Sequence, residues 1–304
     1  MKPRRKSDGD PARLAALLRE LDQLIGLKSV KRDVETMVNL LKLRQARKAS
    51  GLKTPDLSLN MVFYGNPGTG KTSGARLMSA IYRELGVLSR GHLIETDRSG
   101  LVAGHLGQTA PKVLAKAKDA LGGVLFIDEA YALAATQLDY FGTEAIATLV
   151  KAMEDYRDKL IVIVAGYPKE MNAFLQANPG LKSRFNNYFS FEDYNEDELT
   201  GIFVCFCRDY DCVLSPGAEL AVRAIFQQAC EAKDATFGNG RLARNCFEQA
   251  IKNQANRIAH HMLGSRETLT ELRPEDIPEI GMLMPKLVQQ CDAGARNSVQ
   301  NIES

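Results

Sequence analysis

The stretch Gly65-Asn66-Pro67-Gly68-Thr69-Gly70-Lys71-Thr72 decides the fold, and it follows the apolar run Leu59–Tyr64. It matches the phosphate-loop pattern G-x-x-x-x-G-K-S/T, in which a strand leads through a glycine-rich turn into a helix. The glycines let successive backbone N–H groups point at phosphate oxygens. Lys71 supplies a positive charge for the β- and γ-phosphates, and the Thr72 hydroxyl can bind Mg2+. The stretch therefore predicts a nucleotide-binding loop in preference to an ordinary glycine-proline turn. The predicted nucleotide contacts are Asn66, Pro67, Gly68, Thr69, Gly70, Lys71, Thr72 and Ser73.

A second motif, the apolar strand Val124–Ile127 followed by Asp128 and Glu129, points to hydrolysis. Because side chains alternate along a strand, we expect the two carboxylates to point in different directions and to have different roles. One would organise Mg2+ and the other would orient a water molecule. The alternative is a strand end capped by two solvated acids, and the phosphate loop upstream favours the hydrolytic interpretation.

Short apolar runs alternate with helical patterns through the middle of the chain, which is typical of a parallel sheet covered on both faces. Two amphipathic helices precede them, one from Ala12 to about Gly26 and one from a Ser29 cap to about Gly51. Further helices are expected near residues 71–85, 109–121 and 142–155. The predicted strands are Leu59–Tyr64, His92–Thr96, Val124–Ile127, Leu160–Ala165 and Tyr188–Phe191.

After Asp193 the pattern predicts helices only. We therefore expect a tail at 1–10, an α/β domain at 11–195, a helical domain at 196–284 and a second tail at 285–304. The predicted helices of the helical domain are Glu196–Tyr210, Pro216–Lys233, Gly240–His261 and Pro274–Glu279.

The composition excludes several classes of protein. The 39 basic and 37 acidic side chains give a net charge of +2, so no overall field favours a nucleic-acid partner. No apolar run approaches the roughly 18 residues that cross a bilayer, and the charged start lacks the apolar core of a secretion signal. We expect a cytoplasmic protein with no membrane partner. The six cysteines lack zinc-ligand spacing, which favours reduced thiols; they are Cys205, Cys207, Cys212, Cys230, Cys246 and Cys291.

Five motifs together resemble one family. They are G-N-P-G-T-G-K-T, V-L-F-I-D-E-A-Y, I-V-A-G-Y, N-P-G-L-K-S-R-F and F-G-N-G-R-L-A-R-N. The chain is similar, from about Leu21 to His261, to the AAA+ ATPases of the CbbX (red-type Rubisco activase) and stage V sporulation protein K group. The resemblance implies an α/β P-loop NTPase fold, with a five-stranded parallel sheet between helices and a small all-helical lid domain. It also implies ATP and Mg2+ as cofactors.

The resemblance assigns the residues around the nucleotide. Ile25 and Gly26 correspond to the turn that lies against the adenine. Lys71 and Thr72 correspond to the residues that hold phosphates and Mg2+, Asp128 to the one that holds the Mg2+ shell, and Glu129 to the one that polarises the attacking water. Tyr167 stands where relatives sense the γ-phosphate, so its hydroxyl either reaches the nucleotide or caps the core.

Three arginines take further roles by resemblance. Arg184 corresponds to the arginine finger offered to the neighbouring subunit's nucleotide, which implies a hexameric ring, either homomeric or with a related subunit. Arg241 corresponds to a second sensor in the same chain. Arg244, one helical turn further on, is the substitute candidate for that role. A solvated helix face is the alternative for both sensor arginines.

The chain departs from the family pattern at His105-Leu106-Gly107, where threading rings carry an aromatic, an aliphatic and a glycine in a pore loop. His105 has less apolar area than tyrosine and gains charge near neutral pH. An ordinary exposed loop residue is the alternative. The complete set of ATPase motifs, together with a segment at the position of the pore loop, leads us to expect an ATP-driven ring that remodels a client protein through this loop. The second hypothesis is an ATP-dependent assembly scaffold, such as a partner of a type VII secretion-like system, that does not thread its client.

Overall fold

The computed structural model describes residues 9–134, 139–234, 237–259 and 265–284. The predicted tails lie outside these ranges apart from residues 9 and 10, and so does Cys291. The chain divides into two compact units. The first comprises Met1–Gly65 and Gly70–Glu192, and the second comprises Asn66–Thr69 and Asp193–Ser304. The predicted domain limits near residues 10, 195 and 284 stay predictions.

The first unit is built on a five-stranded sheet in the order β2-β3-β4-β1-β5, with every pair of neighbours parallel. The five strands predicted from the apolar runs are confirmed, with ends that differ by one or two residues. They are β1 (Met61–Gly65), β2 (Leu93–Thr96), β3 (Gly123–Ile127), β4 (Leu160–Gly166) and β5 (Asn187–Phe191).

Two central strands, β3 and β4, are buried along their whole length, as expected for a parallel sheet with both faces covered. In the register, Tyr64 of β1 lies opposite Gly166 of β4 and Ser190 of β5. The carboxyl ends of β1, β4 and β5 therefore lie along one edge of the sheet, which is the edge where the phosphate loop begins.

Helices cover both faces of this sheet. The helices α2 and α3 pack on β5 and β1, with α1 against α3, whereas α6 and α7 pack on β4. The sequence did not predict α4, α7 and α8, which are too short to show a periodic pattern. The helices of the first unit are α1 (Pro11–Gln23), α2 (Lys28–Ala49), α3 (Lys71–Glu84), α4 (Arg98–Leu101), α5 (Thr109–Asp119), α6 (Tyr140–Asp155), α7 (Pro168–Gln176) and α8 (Pro179–Arg184).

The predicted Ser29 cap of α2 is wrong. The helix begins one residue earlier, at Lys28, and its N-cap is Leu27 in the left-handed conformation with φ 55°. The preceding Gly26 has φ 64°, so two consecutive left-handed residues make the turn between α1 and α2. The Lys31 ammonium supports this turn, because it donates to the Leu24 carbonyl at 2.6 Å and to the Asp22 carbonyl at 2.9 Å.

The second unit is mainly helical, but the expectation of helices only is wrong. Two-residue strands β6 (Val213–Leu214) and β7 (Glu271–Leu272) form a parallel pair, too short to leave an alternating pattern in the sequence. The predicted helix Pro274–Glu279 is a single 3-10 turn at Pro274–Asp276. The helices are α9 (Glu196–Asp209), α10 (Pro216–Glu231), α11 (Gly240–Ile258), α12 (Arg266–Thr270) and α13 (Ile280–Leu283). The predicted end of α11 at His261 lies outside the described residues.

None of the helices in these described ranges is both long and apolar enough to cross a membrane.

A buried ion pair ties α11 to the segment after β7. Asp276 is 1% exposed. Its carboxylate accepts from the Arg257 Nε at 2.8 Å, from the Arg257 Nη2 at 2.7 Å and from the Arg273 backbone N at 2.8 Å. The hydrogen bond to this carboxylate raises the pKa of the Arg257 guanidinium. Three donors therefore compensate the desolvation of one buried charge.

Replacing Asp276 with Asn should lower the free energy of unfolding by about 3 kcal/mol, because it leaves the Arg257 charge without its partner. The matched control is Glu271→Gln, which removes an exposed ion pair with Arg273. That change should lower the free energy of unfolding by less than about 1 kcal/mol. Urea unfolding followed by circular dichroism measures both values. Equal losses in the two variants would contradict the structural role given to Asp276.

Candidate active site

The phosphate loop joins the end of β1 to the beginning of α3. Its backbone needs glycine, because Gly68 has φ 73° and Gly70 has φ 92°. The Thr69 hydroxyl donates to the Asn66 carbonyl at 2.8 Å, and the Lys71 ammonium donates to the Gly65 carbonyl at 2.8 Å. Lys71 and Thr72 open α3, so the positive end of that helix faces the loop. Ser73 is exposed on the first turn of the same helix.

A second constraint acts at Gly68. A Cβ built there would lie 2.2 Å from the Gly238 carbonyl oxygen and 2.9 Å from the Arg241 nitrogen, all of which belong to the second unit. The sequence predicted a glycine so that phosphate could approach the backbone. The structure adds a protein contact that also excludes any larger residue.

Asp128 and Glu129 follow β3 directly, but they do not continue its alternation. The Asp128 nitrogen still donates to the Thr96 carbonyl of β2 at 2.9 Å. Glu129 then turns into the left-handed region with φ 47°, and its nitrogen donates to the Asp128 Oδ1 at 3.0 Å. Local backbone geometry, and not strand alternation, therefore separates the two carboxylates.

The strain at Glu129 is informative. A residue with a side chain in this region costs on the order of 1–3 kcal/mol and persists only where its surroundings enforce it. The Glu129 side chain is exposed, whereas Asp128 is half-buried. The two carboxylates therefore differ in their surroundings, since that of Asp128 accepts from the Glu129 nitrogen and the Glu129 side chain is exposed to solvent.

The sheet order brings the two motifs together. Because β4 lies between β1 and β3, the phosphate loop and Asp128 leave the same edge two strands apart, about 10 Å at the usual strand spacing. Tyr167 follows β4 and therefore stands between them.

Tyr131 lies at this edge, and the sequence analysis assigned it no role. Its ring lies 5.8 Å from the Tyr167 ring, and a Cβ at Gly166 would meet its Cδ1 at 2.7 Å. Burial, followed by the nearby Glu129 carboxylate, raises the pKa of the Tyr131 hydroxyl to about 12. Tyr131 thus fixes Tyr167 at the end of β4. Tyr131 is the last residue of the V-L-F-I-D-E-A-Y motif, and its place in that motif is the feature of the sequence that could have indicated its role.

Ile25 and Gly26, the predicted adenine contacts, form the turn between α1 and α2. Both residues are half-buried. The left-handed conformation of Gly26 and the Lys31 hydrogen bonds give this turn a fixed shape.

Arg184 lies at the opposite edge of the sheet. It ends α8, three residues before β5 begins, and the start of β5 pairs with the start of β1. The phosphate loop follows the opposite end of β1. The two ends of this five-residue strand are about 16 Å apart. The Arg184 guanidinium donates to the Glu154 carboxylate at 3.1 Å and to the Gly180 carbonyl at 3.3 Å. Arg184 is therefore not part of the phosphate site in its own chain.

The two predicted sensor arginines lie on α11 of the second unit, and both are exposed. Arg241 occupies the second position of the helix. Arg244 lies over the Phe206 ring, with its guanidinium carbon 5.1 Å from the ring centroid. This cation–π contact gives Arg244 a structural partner within the second unit.

The segment containing His105 lies between α4 and α5. Its two ends are held: the Ala103 nitrogen donates to the Thr109 hydroxyl at 3.2 Å, and the Lys112 ammonium donates to the Val102 carbonyl at 2.9 Å. Between these anchors residues 104–108 are exposed, and Leu106 is 74% exposed. The segment is therefore a projecting loop on a fixed base.

Family models cover most of the chain. The model of the "ATPase family associated with various cellular activities (AAA)" matches residues 61–193, and that of the "AAA lid domain" matches residues 195–283. Stage V sporulation protein K of Bacillus subtilis is 38% identical over 273 residues, which are 90% of this chain and 85% of that protein. The chain belongs to the AAA+ ATPases of the CbbX and stage V sporulation protein K group.

Two further relatives support the same family. Protein CbbX of Cereibacter sphaeroides is 41% identical over 266 residues, 86% of this chain and 85% of the relative. A chloroplastic ribulose bisphosphate carboxylase/oxygenase activase of Cyanidioschyzon merolae is 42% identical over 245 residues, 80% of this chain and 83% of the relative. This AAA+ protein therefore binds and hydrolyses ATP, and its fold is that of the AAA domain followed by the AAA lid.

Replacing Glu129 with Gln should lower ATP turnover by at least about 100-fold, because an amide cannot accept a proton from the attacking water. ATP should still bind, since the phosphate loop is unchanged. The matched control is Glu170→Gln, an exposed carboxylate on the first turn of α7 that should keep wild-type turnover. Phosphate release and nucleotide titration measure the two properties. Retained turnover in the Glu129 variant would exclude Glu129 as the base.

Proposed function

We propose that this AAA+ ATPase assembles into a hexameric ring and uses ATP hydrolysis to remodel a client protein. The observation that carries the proposal is the position of Arg184 at the edge of the sheet opposite its own phosphate loop. An arginine that serves catalysis from this position serves a neighbouring subunit. Relatives at 38–42% identity include one named as an activase, which supports a remodelling role.

At the phosphate loop, Lys71 would bind the β- and γ-phosphates and the backbone of residues 66–70 would surround them. Mg2+ fits the donors available, since the Thr72 hydroxyl and the Asp128 carboxylate are the hard oxygen ligands that this ion prefers. Bound with ATP, the ion would neutralise phosphate charge. Glu129 would orient the water, and Tyr167, held by Tyr131, would contact the γ-phosphate.

The ion pair of Arg184 suits a group that changes partner. Its side chain is 26% exposed and that of Glu154 is 56% exposed. An exposed pair of this kind contributes at most about 1 kcal/mol, so a phosphate offered by a neighbour would compete easily. A guanidinium on the developing phosphate charge raises hydrolysis by about a thousandfold or more.

Arg241 would sense the γ-phosphate from the lid, because it lies in the first turn of α11 and its side chain is exposed. Arg244 is the weaker candidate, since it already contacts Phe206. A lid that responds to the γ-phosphate through Arg241 would convert hydrolysis into a change of angle between domains, which is the motion that the remodelling proposal needs.

The loop His105-Leu106-Gly107 would contact the client. Its exposed Leu106 offers apolar area, its anchored base transmits force, and Gly107 with φ 77° permits a tight turn at its tip. The relatives' names differ in their roles, from sporulation to activation of ribulose bisphosphate carboxylase/oxygenase, so the client differs within the group. Remodelling of a client is the property that we propose this chain shares with the group.

The cytoplasmic location stays a prediction.

One observation favours the second candidate, an assembly scaffold that recruits a partner without threading it. The loop carries an imidazole where threading loops carry an aromatic ring of larger apolar area. A scaffold needs an exposed surface that binds its partner, but its loop does not have to hold a polypeptide that is being pulled. The two candidates differ in whether client-stimulated ATPase activity depends on the loop.

Replacing Arg184 with Ala should lower turnover by about a thousandfold with little change in nucleotide binding, because the finger acts on a neighbour's phosphate. A Lys71→Ala variant should also be inactive. Mixing the two variants should restore activity, since some interfaces then combine an intact loop with an intact Arg184. Phosphate release across mixing ratios measures this rescue. No rescue at any ratio would contradict action between subunits.

Replacing His105 with Tyr should keep or increase client-stimulated ATPase activity, and replacing it with Ala should reduce it, because the ring supplies the gripping surface. The matched control is Gln108→Ala, an exposed residue at the end of the same loop. The assay compares stimulated and basal ATPase rates with a client captured by the Glu129→Gln variant. Equal stimulation of His105→Tyr, His105→Ala and wild type would favour the scaffold.

A further inference from the structure

Asn239 has a backbone conformation that its side chain does not favour. The residue precedes α11 with φ 50° and ψ −126°, and it is fully buried. Glycine adopts this conformation most readily, and glycines stand on both sides of it at positions 238 and 240. The asparagine must therefore be explained by what its side chain does.

Both the oxygen and the nitrogen of the Asn239 side-chain amide form hydrogen bonds. Its Oδ1 accepts from the Tyr194 nitrogen at 2.9 Å. Its Nδ2 donates to the Asp193 carboxylate at 2.8 Å, to the Phe237 carbonyl at 3.1 Å and to the Pro67 carbonyl at 3.3 Å. One buried side chain thus joins the phosphate loop, the segment that leads into α9 and the start of α11, all inside the second unit.

Asp193 extends this network to the first residue of the loop tip, Asn66–Thr69. The Asn66 Nδ2 donates to both carboxylate oxygens of Asp193, at 2.9 and 3.1 Å. Asp193 therefore accepts from an amide of the loop tip and from the amide of Asn239. A single carboxylate fixes the two groups relative to each other.

The other two residues of the loop tip bond to the same region. The Gly240 nitrogen donates to the Gly68 carbonyl at 3.0 Å, and the Tyr194 hydroxyl donates to the Thr69 carbonyl at 3.3 Å. Together with Asn66 and Pro67, every residue of the loop tip has a hydrogen bond to residues 193–240. These bonds explain why the loop tip groups with the second unit and not with the sheet.

We propose that Asn239 is a positioning residue for nucleotide binding: with Asp193 it holds the loop tip Asn66–Thr69 in the conformation that receives phosphate. It would also make the loop tip move with the start of α11, which carries Arg241. The proposal rests on the assignment of the phosphate loop to ATP. It adds a residue that does not touch the nucleotide and acts through Asp193 and Pro67.

The test compares Asn239→Gly with Asn245→Gly, a matched change at an exposed position of α11. Glycine suits the backbone at 239, so this variant removes the side-chain bonds without adding strain. Titration with the fluorescent nucleotide mant-ADP should show a Kd at least about tenfold higher for Asn239→Gly at full stoichiometry. Asn245→Gly should keep the wild-type Kd even though glycine weakens the helix. The Tm increase on adding ADP should shrink in parallel for Asn239→Gly alone.

Asp193→Asn is the second variant, because it preserves size and removes the carboxylate that accepts from Asn66 and Asn239. It should also raise the Kd for mant-ADP. An unchanged Kd in both variants would overturn the proposal, and so would failure of both to fold, since the network would then serve stability only. Failure of the wild-type chain to bind mant-ADP would instead overturn the assignment of the phosphate loop.

Discussion

The position of β4 between β1 and β3 is the constraint on which the candidate active site depends. It separates the phosphate loop from Asp128 by two strand spacings and places Tyr167 in the gap. The three strands form the core of the first unit, since every residue of β3 and β4 is buried and only Tyr64 of β1 is partly exposed. A parallel sheet of this kind gathers the carboxyl ends of its strands along one edge, and the chemistry follows from which residues come next in the chain.

The same sheet keeps Arg184 away from the phosphate loop of its own chain. Residues after β1, β3 and β4 collect at one edge, whereas Arg184 precedes β5 and lies at the other. Parallel strands do not bring the two edges together within one subunit. Assembly in a ring would do so, because the Arg184 edge of one subunit would face the loop edge of the next.

Much of this architecture is predictable from the sequence, because each strand is an apolar run and the two phosphate motifs have characteristic side chains. The sequence does not predict contacts between distant segments. Asn239 bonds to Pro67 across 172 positions, and no local pattern indicates that pairing. The left-handed Glu129, the Leu27 cap and the two-residue strands β6 and β7 were missed for a related reason: tertiary contacts stabilise conformations that local propensity disfavours. The roles of the site residues follow from resemblance and geometry together, and they stay proposals.

We propose that each ATP site is shared between two subunits. The most direct measurement is a cryo-electron microscopy structure of the Glu129→Gln variant with ATP and Mg2+. We predict a ring in which each γ-phosphate contacts Lys71 of its own subunit and, at about 3 Å, the guanidinium of Arg184 from the next. Rings in which every Arg184 stays on its own Glu154, with no guanidinium near a neighbour's nucleotide, would contradict a site shared between subunits.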